Sequence, residues 1–236
     1  MLRHDSLEER IGALAIGAPI SIRVSPRARR LSLRVDAAKR GIELVLPRRF
    51  SPETALHFVS SHRGWIAARI AAMPPPRHLG EGASVPVFGV PHRVRHERDP
   101  AAPPVAIADG EIRVKGDPAH LPRRVRDHLT ALAKRDFAAR ARTTAARIGK
   151  SVTRVGVRDP RSRWGSCSSK GALSFSWRLV LAPEAVIDYV VAHEVAHLVE
   201  MNHGARFWRL VASLVPDVDK SRAWLRRHRL ELLAYA

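Results

Sequence analysis

The chain is short of cysteine, of acid and of long apolar runs, and each shortage excludes something. A single cysteine, Cys167, rules out an intramolecular disulfide framework and any zinc site built on two or more cysteines of one chain. The apolar run IGALAIGAPI at 11–20 is too short to span a bilayer. Asp5, Glu8 and Glu9 ahead of it are the wrong sign for a secretory leader, so a cytoplasmic protein with no membrane partner is expected. Acid is the third shortage: 22 Asp+Glu stand against 41 Lys+Arg, a formal net charge of +19. A basic surface attracts polyanions, which makes nucleic acid a candidate partner. The opposing reading is compositional drift, because the basic residues are scattered and only six of the 41 are lysine.

What remains is an ordinary globular composition, 45% apolar and 27% charged over 236 residues, enough for one large domain or two small ones. Residues 20–25, 30–36 and 42–47 alternate apolar and polar residues, the period of half-buried strands, and short connections suggest an antiparallel meander. A helix is expected over 51–73, with Ser51 as cap and Pro52 at its first position. Residues 85–97 and 111–116 read as two further strands around a Pro/Ala-rich loop. From 121 to 149 the period becomes helical, with Gly149 as the stop. Strands at 152–159 and 173–181, a loop at 161–172, a helix from 182 and two tail helices parted at 215–217 complete the pattern. The predicted class is α+β, with a small antiparallel β-rich region over 1–117 and an α+β domain over 118–236.

The chemistry is concentrated in VVAHEVAHLVEMNHGARFW, residues 190–208. On a helix, His193 and His197 lie one turn apart on one face, a spacing that lets both imidazoles reach one tetrahedral Zn²⁺. Glu194 is rotated about 100° from His193, beside the metal position rather than on it, where a carboxylate can take a proton from water as a general base. HEVAH thus fits the HExxH pattern of zinc-dependent peptidases. The third ligand is a problem of geometry. In an unbroken helix His203 would lie about 15 Å along the axis from His193, beyond any shared ion. A break between Val199 and Gly204, with Asn202 and Gly204 tolerating left-handed backbone, would bring it back. His203 is favoured on ligand type, with Glu200 and Glu231 as rivals. The spacing of His197 and His203 equals that of the metzincin pattern, but Glu200 occupies its central glycine position, so the match fails.

Taken together, RRLSLRV, GIELVLPRRFS, SRWGSC and the HEVAH…NH…FW stretch resemble the YgjP-like metallopeptidase family, relatives of the SprT-like zincins. The resemblance covers most of the chain. It implies a zincin-like catalytic domain with an active-site HExxH helix, zinc on His193, His197 and His203, and Glu194 as general base acting on a peptide or protein substrate. SprT-like relatives include proteases of DNA-bound proteins, which points the same way as the basic charge. Arg163 is read either as an oxyanion-stabilising group or as a structural cation, and Cys167 either as a fourth ligand or as a small buried side chain. The alternative function is a nucleic-acid-associated protein with a structural zinc site and no peptidase activity.

Overall fold

In the computed structural model, residues 2–14, 16–36 and 40–235 are described. The alternating segments near the start form strands β1 (Ile20–Val24), β2 (Ser32–Asp36) and β3 (Gly41–Leu46), ordered β1-β3-β2. The expected antiparallel meander does not form. β2 pairs antiparallel with β3, but β1 pairs with it in parallel. Gly41 serves that parallel approach: Ile42 N–H donates to the Pro19 carbonyl at 2.9 Å, and a Cβ on Gly41 would meet the Pro19 oxygen at 2.6 Å. Nor is the region β-rich alone. Helices α1 (Leu2–Gly12), α2 (Pro52–Ser61) and α3 (Arg63–Ala71) accompany the sheet, and Ile42, Leu44 and Leu46 share a core with Ala55, Val59 and Ile66.

The single helix expected over 51–73 is divided at His62. Ser51 caps α2 as predicted, accepting from Thr54 N–H at 3.3 Å. At its other end the Phe58 carbonyl is taken by side chains, His62 Nδ1 at 2.7 Å and Ser61 Oγ at 3.0 Å, while His62 N–H turns to Val59. Local side-chain donors have replaced the helical partner, and the helix stops.

The chain divides into two compact units, Met1–Arg77 with Leu233–Ala236, and His78–Leu232. The division falls after Arg77 rather than near 117, because the strands that follow cluster with the later helices. These are β4 (Ser84–Val87), β5 (Val90–Glu97), β6 (Val105–Ala108) and β7 (Glu111–Lys115), ordered β4-β5-β7-β6. Three of them, β4, β5 and β6, lie where one strand and a loop were expected. The two added strands come from tight turns with consecutive left-handed residues, Phe88-Gly89 at φ 51° and 82° and Asp109-Gly110 at φ 54° and 73°. Asp-Gly between short apolar runs is a hairpin signal that the Pro/Ala content of the segment obscures.

The Phe88-Gly89 turn has a positional role. Phe88 N–H donates to the Val180 carbonyl at 2.7 Å, and a Cβ on Gly89 would stand 2.9 Å from Pro183 Cα. Pro183 is the N-cap of helix α5 (Glu184–Ala196), so the turn abuts the start of the helix that carries His193 and Glu194. Gly89→Ala combines a left-handed backbone with a backbone clash. It is expected to destabilise the protein by roughly 2–4 kcal/mol, read as a lowered midpoint in chemical denaturation.

Helix α4 (Leu121–Ala146) buries every fourth residue from Leu121 to Ala145. It ends as the sequence anticipates, with Gly149 at φ 64° and Lys150 N–H returning to the Ala145 carbonyl at 3.0 Å. Behind it lie β8 (Arg154–Arg158), β9 (Gly165–Cys167) and β10 (Ala172–Ser176), ordered β8-β10-β9. Phe137 of α4 meets Phe175 of β10 edge to face, with centroids 5.7 Å apart. The strand expected over 173–181 ends at Ser176 and continues as a 3₁₀ turn, Trp177–Leu181, while part of the expected loop forms β9. Arg140 on α4 holds α5 through Glu184 at 2.8 Å and Asp188 at 2.7 Å, with Asp136 of its own helix at 2.7 Å. Helices α6 (Ala205–Leu214) and α7 (Val218–Leu233) complete the mixed α+β chain. Among the described residues, no helix is long and apolar enough to cross a membrane.

Candidate metal centre

Helix α5 is apolar on nearly every side, and Val186, Ile187, Val190, Val191 and Val195 are all buried. A helix enclosed in this way places any polar residue it carries in a dry environment, where it needs a partner or a function. It carries two such residues near its C-terminal end, His193 and Glu194, and His197 is its C-cap.

The chain then turns. Val199 and Glu200 N–H groups both return to the Ala196 carbonyl, Gly204 N–H reaches the Asn202 carbonyl at 2.8 Å, and Gly204 is the N-cap of α6. The break begins earlier than expected and uses no left-handed residue. Gly204 sits at φ −81°, and Asn202 is not among the described residues with positive φ.

The outcome is the convergence of three imidazoles. His193, His197 and His203 each offer a ligand nitrogen, and these atoms lie within 4.8 Å of one another. His193 Nε2 and His203 Nε2 are 3.1 Å apart. Nitrogens held tetrahedrally about one Zn²⁺ stand about 3.3 Å apart, so this pair is already spaced for a shared ion. His197 Nδ1 donates to the Glu200 carbonyl at 3.0 Å. A carbonyl only accepts, so the ring proton sits on Nδ1 and the Nε2 lone pair is left for a metal. His193 is held by packing instead. Its Nδ1 is buried without a hydrogen-bond partner, and the rings of Tyr189 and Phe207 lie 6.0 Å and 4.9 Å away. Phe207 touches all three imidazoles. Burial lowers His193 to a pKa of about 4, helped by the charges of His197, His203 and Arg222. It lowers His197 as well, against the Glu200 carbonyl. Both rings are thereby kept neutral, the form that binds metal.

The other sequence candidates lie as follows. Glu200 contributes its main-chain carbonyl to His197, and Glu231 pairs with His228 on α7 at 3.2 Å. Cys167 lies outside the three-histidine group, its thiol donating to the Ser168 carbonyl at 3.4 Å. Burial raises the thiol pKa, with the Glu194 charge adding to the effect. Glu194 is 6% exposed, and burial pushes its carboxyl up to about 7 against the opposing charge of Arg163. The carboxyl lies directly against the main chain of Gly165 on β9. Sequence reasoning did not single out Gly165.

The YgjP-like, metallopeptidase domain family model matches residues 29–228. No curated protein and no solved structure matches the chain.

Proposed function

The chain belongs to the YgjP-like metallopeptidase family, and on that premise we propose that it is a zinc-dependent peptidase with His193, His197 and His203 as metal ligands and Glu194 as general base. The observation that carries the proposal is the convergence of three imidazoles, with ligand nitrogens within 4.8 Å of one another, at the end of the helix that also carries the buried Glu194. A donor set of three imidazoles suits zinc and leaves a position open for chemistry, whereas a structural site is closed by four protein ligands. Zinc bound there supplies Lewis acidity, which acidifies water and polarises a carbonyl.

The protein's own groups do the rest. Glu194 takes the proton of the attacking water and delivers it to the leaving amine, a shuttle suited to a carboxyl whose pKa burial has brought near neutrality. Arg163, whose charge acts on Glu194, is the cation we assign to stabilising the tetrahedral oxyanion. His197, fixed by Glu200, presents one nitrogen in one tautomer. Strand β9 is the end strand of its sheet and passes beside Glu194, so an extended peptide can add to its open edge. β10 is the central strand of that sheet.

The test is a peptide-library digest by zinc-loaded protein, by chelator-stripped protein and by stripped protein resupplied with zinc. Cleavage is expected in the first, lost in the second and restored in the third. Equal cleavage in all three samples, or none in the loaded one, would refute the proposal.

A further inference from the structure

We infer that Gly165 is a positioning residue for Glu194: the space left by its missing side chain is the seat of the Glu194 carboxyl. The inference rests on the peptidase reading for its functional half and on geometry alone for its structural half. A Cβ built on Gly165 would stand 2.5 Å from Glu194 Oε1, 2.6 Å from Cγ and 2.7 Å from Cδ. Three atoms of one side chain, all below the closest approach of real Cβ atoms, mean that the carboxyl lies flat on the strand backbone rather than brushing past it.

Backbone conformation does not account for the glycine. Gly165 is not among the glycines with positive φ, which include Gly89, Gly149 and Gly171. It lies in regular antiparallel register, opposite Phe175 on β10. A strand position with ordinary dihedrals favours a side chain, since glycine there weakens the strand and leaves nothing to pack. What glycine provides at 165 is room.

The neighbours make that room specific. Glu194 cannot rotate away without cost, because helix α5 is buried along most of its length and Glu194 itself is 6% exposed. A Cβ at 165 therefore has two outcomes, displacement of β9 or displacement of the carboxyl from beside the imidazole cluster. His193, the preceding residue, points elsewhere on the helix and is packed against Phe207 and Trp208. The metal ligands are thus expected to stay in place when the base moves. Misplacing a catalytic group by about 1 Å costs on the order of 100-fold in rate.

The experiment is a double-mutant cycle on zinc-loaded, full-length protein with Gly165→Ala, Glu194→Ala and the pair. Glu194→Ala removes Cγ, Cδ and both oxygens, the atoms that the new Cβ would strike. Gly165→Ala alone is expected to lower Tm by roughly 5 °C, to keep one zinc per chain, and to lower kcat about 100-fold with KM little changed. In the Glu194→Ala background the same substitution is expected to move Tm by about 1 °C or less, because the clash is gone. Equal Tm losses in both backgrounds would overturn the assignment, as would a Gly165→Ala enzyme that keeps wild-type kcat. Should the wild-type protein cleave no peptide, the peptidase reading falls, and the Tm cycle alone decides whether Gly165 seats Glu194.

Discussion

Glu194→Gln is expected to lower peptide hydrolysis by about 10²–10⁴-fold while zinc content stays at the wild-type level. Glutamine keeps the shape of the side chain, and so its fit against Gly165, but it cannot accept the proton of the attacking water. The prediction separates chemistry from folding because the position is buried. The same burial that pushes the Glu194 carboxyl up to about 7 disfavours its charged form, and neutral glutamine does not carry that cost. The variant's Tm is therefore expected at or above that of wild type, so lost activity is not attributable to lost structure. Metal analysis, thermal unfolding and kcat on one peptide, measured side by side, provide the check. Wild-type turnover in the variant would end the role of Glu194 as base, and loss of zinc would recast it as part of the metal's support.

Much of this site is readable along the chain, and what is not readable shares one cause. His193 and His197 belong together by helical spacing alone, a local property. The return of His203 is legible as a requirement, since no unbroken helix brings it near the other two. How the turn is made is not legible: it uses ordinary backbone at Gly204 and carbonyls of the preceding turn, where left-handed glycine was the natural guess. Gly165 stands in the SRWGSC stretch, but its reason for being glycine is not legible there, because that reason is a carboxyl carried by another element. The same holds for Gly41, which admits the Pro19 carbonyl to a parallel pairing. Parallel pairing of β1 with β3 depends on how the chain crosses over, which alternation of apolar and polar residues does not encode. The two hairpins between 84 and 115 are different. Asp109-Gly110 carries the signal openly, and composition outweighed it.

His203→Ala is expected to weaken zinc binding by more than about 100-fold, since loss of an outer-shell partner alone typically costs 10–100-fold and this residue would be a ligand itself. The side chain is well suited to that test. His203 is exposed and follows the turn, so removing it leaves no buried cavity in α5 or α6. Its Nε2 approaches His193 Nε2 at 3.1 Å, and the two rings gain at most one hydrogen bond there. Without metal, therefore, the substitution should leave Tm almost unchanged. With zinc in excess, the wild type should gain stability that the variant lacks, about 2.7 kcal/mol for each 100-fold difference in affinity once sites are saturated. Titrating zinc against Tm for both proteins measures that gap without any substrate. A variant that binds zinc as tightly as wild type would remove His203 from the ligand set and return the third position to Glu200, whose carbonyl already reaches His197. A variant destabilised equally with and without zinc would make His203 a packing residue of the turn.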